Sequence, residues 1–359
     1  MISLSKSFDR GPSQSGGHPL SPGLEPEPPI PLGQSQMSIV QQRPMTSREW
    51  GLLLLLSLLW GGSFFFVGVA VKELPPLTIV AARVTIAAAL LWLTAPLTGL
   101  APQRMLDRFA PLALMGLLNN AIPFVLIVSG QTRLASGLAS ILNASTPIFT
   151  VVAAHFLTEN EKLNPRRLAG ALFGLIGVAT MMGADLALGL TTHLAAEFVI
   201  LGPAVSYALA SIYGRRFRGL GLAPIDVATG QVTASSLMLL PLALLVDRPW
   251  SLPAPSLAVI AAVVAIAALS TALGYIVYFR ILAGAGATNV VLVTLLAPAS
   301  SILLGALFLG ERLAPRHFLG LGIIAIGLGL IDGRLARTIE QRLARRLTPR
   351  STSASASRD

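Results

Sequence analysis

The sequence predicts an all-α membrane protein, with ten transmembrane helices in two inverted five-helix repeats. Three observations predict it. Of the 359 residues 53% are hydrophobic and only 12% charged, with a mean hydropathy of +0.73, outside the range of soluble domains. The charges gather at the tails and in short clusters between apolar runs of ~20 residues, the length that spans a bilayer core. The chain also repeats itself. Residues 119–147, opening Asn119-Asn120, lie over 270–298, opening Ser270-Thr271, without a gap at an offset of 151. Glu161-Lys-Leu-Asn-Pro165 followed by Gly170 matches Glu311-Arg-Leu-Ala-Pro315 followed by Gly320 at an offset of 150, and residues 81–88 match 229–236 at 148. Such similar offsets over three segments indicate two copies of one unit.

Residues 1–45 are rich in Pro, Ser, Gly and Gln and carry no apolar periodicity, so they read as a disordered tail. They lack the apolar core of a signal peptide, and Met37 or Met45 is an alternative start. The first repeat, 46–185, holds spans at about 50–71, 76–96, 109–130, 134–157 and 166–183. The second, 194–333, holds spans at about 195–214, 224–246, 256–279, 286–309 and 316–332. The tail 334–359 opens as a basic amphipathic segment (Arg334, Arg337, Arg342, Arg345, Arg346) suited to an anionic inner membrane surface.

Orientation follows from Lys and Arg. With the N-terminus cytoplasmic, twenty of them fall inside and five outside (Lys72, Arg133, Arg248, Arg312, Arg316), leaving Arg83 alone within a span. That asymmetry places both termini in the cytoplasm. Five spans per repeat is an odd number, so the second copy enters upside down, with a pseudo-two-fold axis in the membrane plane. The net charge of +10 mostly flanks apolar spans, which makes it membrane topology rather than polyanion binding, and no nucleic-acid partner is expected.

Trp60-Gly-Gly-Ser63 in the first span, Ala82-Arg83 in the second, and the Pro…Glu-x-Leu…Gly pattern closing each half resemble the drug/metabolite transporter superfamily, specifically an EamA-type ten-helix permease. The likeness covers roughly 50–332. Pro298…Gly310-Glu311-Arg-Leu…Gly320 fits the pattern closely, whereas the first half has Thr158-Glu159-Asn160-Glu161 where the family has Gly-Glu. The resemblance implies a secondary transporter of the bacterial inner membrane that moves a small metabolite or drug-like solute by alternating access, as an exporter. Its implied partners are that solute and membrane lipid, and the particle is a monomer or homodimer. The other function class, an intramembrane enzyme acting on a lipid-linked substrate, would want ionisable residues clustered at one interface.

Pro147 and Pro298 lie midway along spans four and nine and free the carbonyls of Asn143 and Thr294, a repeat-related polar pair. Matched interruptions in the two halves of a transporter point to a midplane site; the alternative is helix bending for packing. Asn119-Asn120 matches Ser270-Thr271, and one turn on Phe124 matches Tyr275, so 120 and 124 share a face, as do 271 and 275. An amide beside an aromatic suits a small amphipathic solute, and Trp60 and Tyr207 offer similar surfaces. Arg83, with Gln231 as its repeat partner, is either an anion clamp or a structural arginine, since burying it costs at least about 2.5–3.5 kcal/mol near the bilayer centre. The expected substrate-binding set is therefore Trp60, Arg83, Asn120, Asn143, Tyr207, Tyr275 and Thr294. No nucleophile motif, phosphate loop, thiolate or His/Glu metal spacing is present, so no cofactor and no catalytic or metal site is expected. The glycines at 170, 174, 320, 322, 327 and 329 read as close helix packing.

Overall fold

The computed structural model describes residues 45–159, 162–182, 192–285, 290 and 292–332. The two tails expected to be disordered and surface-bound (apart from Met45), and Glu161 of the first-half motif, lie outside the described residues. Among the described residues the long elements are all helices. In order they are α1 (Ser47–Ala70), α2 (Pro76–Leu93), α3 (Phe109–Gln131), α4 (Ser136–Leu157), α5 (Pro165–Met182), α6 (Thr192–Gly214), α7 (Pro224–Val246), α8 (Leu257–Leu282), α9 (Val293–Leu309) and α10 (Pro315–Asp332). Seven of them, α1 to α4 and α6 to α8, are long and apolar enough to cross a bilayer. Large apolar side chains point outward: Leu93, Phe156, Leu245, Leu307 and Phe308 are each more than half exposed. Arg83, Asn120, Gln231 and Thr271 are instead buried, the arrangement an apolar solvent selects.

Local chemistry starts the helices. Thr46 caps α1 in a reciprocal box, its hydroxyl accepting from the Glu49 N–H (3.3 Å) while its own N–H donates to the Glu49 carboxylate (2.8 Å). Ser256 caps α8. Helices α2 and α7 open on the repeat-related Pro76 and Pro224, and α5 and α10 on Pro165 and Pro315, where the missing N–H costs nothing.

The helices pair reciprocally between the halves. α2 packs on α7 and α5 on α10; α1 packs on α9 and α8, while α6 packs on α4 and α3. Exchanging each helix for its counterpart five places along leaves that pattern unchanged. The self-paired helices run antiparallel. Thr78, at the start of α2, donates its N–H and hydroxyl to the carboxylate of Asp247, just past α7 (2.8 and 2.9 Å). Arg166, in the first turn of α5, donates to the Leu330 carbonyl near the end of α10 (3.0 Å). Along α5 and α10 the backbones touch: a Cβ added at Gly170 would lie 2.6 Å from the Gly327 carbonyl, and one at Gly177 would lie 2.8 Å from the Gly320 carbonyl. The close-packing expectation therefore holds at 170, 174, 320 and 327, whereas Gly322 faces open space; Gly177, outside that expectation, makes a close contact of the same kind.

Glu311 explains its place in the repeated motif. Its carboxylate accepts the N–H groups of Ser136 (2.8 Å) and Gly137 (3.2 Å) at the N-terminus of α4, where unpaired donors and the helix dipole favour an anion. The 310–314 turn is thereby tied to the beginning of α4. Glu73 accepts from the N–H and hydroxyl of Ser256 (2.6 and 2.7 Å), which holds its carboxyl below the ordinary range.

Four apolar clusters fill the interior, and two of them are large. One gathers Val67, Ile79, Val84, Val128, Val232 and Ile266 around α2, α3, α7 and α8; the other gathers Leu138, Ile148, Met181, Ile200 and Ile324 around α4, α5, α6 and α10. Tyr207 of α6 packs against both.

Candidate functional site

The repeat-matched interruptions fall in the third helix of each half, not the fourth. α3 passes through a π-helical turn at Leu117–Ala121 and α8 through one at Ile266–Leu273. Shifted by the repeat offset of 151, the first lands at 268–272, within the second. A π turn widens the helix and takes backbone carbonyls out of the regular ladder. Neighbouring hydroxyls satisfy them: Ser235 donates to the Gly116 carbonyl (3.0 Å), Ser206 to that of Leu118 (2.6 Å), and Thr271 to that of Ile266 (2.9 Å). The polar residues of the sequence motif sit on these two turns.

In α4 the helix does break, with Ala144 and Ser145 in a turn before Thr146–Leu157. The hydroxyls of Ser145 and Thr146 take up the carbonyls of Leu142 (2.6 Å) and Asn143 (2.7 Å). Val293–Leu309, by contrast, runs through Pro298 unbroken. The aligned residues there are Leu296 and Ala297, which have no hydroxyl to stabilise an opened turn. The expectation of matched proline interruptions is thus met on one side only.

Around the π turns a polar group assembles. Arg83 of α2 is 6% exposed. Its Nε donates to the Thr271 hydroxyl (2.9 Å), and its guanidinium carbon lies 3.6 Å from the centre of the Phe124 ring, a cation–π contact. Tyr207 and Tyr275 lie within electrostatic reach of it. The Tyr275 hydroxyl donates to Asn120 Oδ1 (2.7 Å) and accepts from Asn119 Nδ2 (3.3 Å); the same Nδ2 donates to Gln231 Oε1 (3.0 Å). Each second helix therefore reaches the third helix of the other half, once with a charge and once with an amide.

Arg83, Asn120, Tyr207 and Tyr275 of the expected set are brought together, joined by Asn119, Phe124, Gln231 and Thr271. Trp60 lies on the other flank of α8, stacked on Tyr278 with ring centroids 5.6 Å apart and its indole nitrogen against Gly274. Beside it Gly61 lets α1 approach the backbone of α9 at Ala297, close to Pro298. Asn143 and Thr294 are both half-buried, and Asn143 Oδ1 is a buried acceptor without a hydrogen-bond partner. Gln231 and Thr271 were legible as the repeat partners of Arg83 and Asn120, and Tyr278 as the aromatic one turn beyond Tyr275.

An apolar exterior around a buried polar group, in a bundle of bilayer-length helices, defines a polytopic membrane protein with an internal polar site. The chain belongs to the EamA-like transporter family, whose model matches twice, at residues 49–183 and 194–331. It is 27% identical over 299 residues to "Uncharacterized transporter YvbV" of Bacillus subtilis, covering 82% of this chain and 94% of that protein. It is 27% identical over 296 residues to "Uncharacterized inner membrane transporter YedA" of Escherichia coli K12, covering 79% and 90%. It is 25% identical over 297 residues to "Probable amino-acid metabolite efflux pump" of the same organism, covering 79% and 94%. A solved protein structure shares the fold, with a TM-score of 0.57 at 20% identity over 83% of this chain and 99% of that one.

Proposed function

We propose that this chain is a secondary transporter of ten spans in two inverted halves, which exports a small metabolite by alternating access with both termini in the cytoplasm. One observation carries the reading: buried side chains from both halves converge on two repeat-related π turns, so a solute bound there touches the elements that must move past one another. The reciprocal pairing, the antiparallel α2/α7 and α5/α10 contacts and the Glu311 tie to the start of α4 support the inverted arrangement. The efflux-pump relative supports the export direction. Trp60, Arg83, Asn120, Tyr207 and Tyr275 contact the solute in this reading, and Asn143 and Thr294 line its path.

Two experiments test it. Reporter fusions are expected to place both termini and the 158–166 segment in the cytoplasm and the 310–316 segment outside; finding the two segments on one side sinks the inverted arrangement. Cells overproducing the protein are expected to enrich the medium, and cells lacking it the cytoplasm, in the same small solutes. Tyr275→Phe, which removes the hydroxyl joining Asn119 and Asn120, should cut that enrichment by about tenfold, the worth of one buried hydrogen bond made to a charged or polar network. Indistinguishable metabolite profiles in the two strains overturn the transporter reading.

A further inference from the structure

We infer that the solute is an organic monoanion whose carboxylate docks end-on against Arg83. This rests on the transporter reading and names the chemistry of its cargo. Among the described residues Arg83 is a buried charge without a counter-ion, and its only hydrogen bond there is the one from Nε to Thr271. Of the carboxylates on and next to the helices packed against α2, Asp107 is exposed before the start of α3 and the others are committed elsewhere. Asp226 accepts from the N–H groups of Ala101 (3.0 Å) and Ala223 (2.9 Å), Asp247 from Thr78, and Glu73 from Ser256. The groups that touch the guanidinium, Thr271 and Phe124, and the two tyrosines within electrostatic reach of it, Tyr207 and Tyr275, are neutral hydroxyls and rings.

A lone cation held this way is costly in an apolar interior, and an anion that pairs with it recovers the cost. The known contacts of Arg83 leave the tip of its fork without a hydrogen bond among the described residues. Nε is taken by Thr271 and one face of the fork is covered by Phe124, so the paired Nη groups at the tip remain, matched in spacing to the two oxygens of a carboxylate. Asn120 adds a second donor. It is 0% exposed, its Oδ1 is taken by Tyr275, and its Nδ2 has no partner. One formal charge in the group suits a monoanion; a phosphate monoester dianion would need a second. The aromatic rings of Phe124, Tyr207 and Tyr275 suit an apolar body behind the carboxylate.

The test uses the full chain purified in detergent, with benzoate, its uncharged isostere benzamide, and phenyl phosphate at matched ionic strength. Benzoate is expected to raise the thermal unfolding midpoint in a dose-dependent way, benzamide to leave it unmoved, and phenyl phosphate to act less than benzoate. Arg83→Gln should weaken the benzoate response by at least tenfold. Asn120→Asp keeps the acceptor for Tyr275, replaces the partnerless amide by an oxygen, and supplies an internal carboxylate. It should raise the ligand-free midpoint and abolish the benzoate response, and it decides the matter if Arg83→Gln does not fold. Equal shifts by benzoate and benzamide, no response to benzoate, a larger shift with phenyl phosphate, or an unimpaired benzoate response in Asn120→Asp each overturn the inference. Proteoliposome flux separates it from the parent reading. Carboxylate binding without flux leaves the site standing and removes the transporter; flux of solutes with no preference for negative charge does the reverse.

Discussion

Gly177→Ile is expected to lose about 2–4 kcal/mol of stability, by analogy with the cost of overpacking a tight interior and the added strain of parting two backbones. The Cβ alone would lie 2.8 Å from the Gly320 carbonyl, 2.8 Å from Ile324 Cγ1 and 2.9 Å from the Ile324 nitrogen. Two of those three atoms are backbone, so no rotamer change relieves the overlap and α5 must move away from α10. In lipid there is no hydrophobic drive to hold separated helices together, and their association depends on close van der Waals contact. The displacement also propagates, because Gly170 and Gly327 make the same contact two turns away, with a 2.6 Å approach. The measurement is the unfolding midpoint of purified protein, together with the amount recovered from membranes. Gly322→Ile is the control: nothing lies within 4 Å of its added Cβ, and it should stay within about 0.5 kcal/mol of the parent, as surface substitutions do. Equal losses in the two variants would remove backbone proximity as the cause.

Much of this arrangement was legible in the chain. Pro76 and Pro224 start their helices as well as marking the spans, and the 224–246 span coincides with α7. The faces 120/124 and 271/275 do meet, with Arg83 between Phe124 and Thr271. The π turns were not legible. α3 and α8 are apolar nearly all round, so one inserted residue leaves no break in a hydrophobic pattern that has no clear stripe to shift. Their trace in the sequence is the pair of polar doublets, Asn119-Asn120 and Ser270-Thr271, at the same repeat position. The unequal behaviour of Pro147 and Pro298 turns on side chains next to the proline. Ser145 and Thr146 close the carbonyls that a break exposes, and Leu296 and Ala297 have nothing to offer them. Glu311 was visible as a motif residue, but its partner 175 positions away was not, because only the folded chain brings the start of α4 to that turn.

Cysteines at positions 143 and 294 are expected to react with a small membrane-permeant thiol reagent, and solute is expected to protect both. The native chain contains no cysteine, so each label reports one site. Asn143 carries the stronger physical case. The carbonyl freed by Pro147 is taken by the Thr146 hydroxyl at 2.7 Å, yet the side-chain Oδ1 is buried with no hydrogen-bond partner. A buried amide oxygen left unpaired costs about 1–3 kcal/mol, a cost that water or a solute at that point removes. The α4 break at 144–145 supplies the irregular backbone that membrane interiors tolerate where a cavity or protein lies alongside. Thr294 is the repeat counterpart, on the helix that packs against the first half of α4. Alternating access needs such a pair, reached from one side and then the other. Labelling should exceed that of a cysteine at the fully buried Ile141 or Val293 by at least tenfold, and solute should reduce it toward that background. If positions 143 and 294 stay unreactive while a cysteine at the exposed Phe156 labels, the break in α4 serves packing, and the solute path runs along the Arg83 group without them.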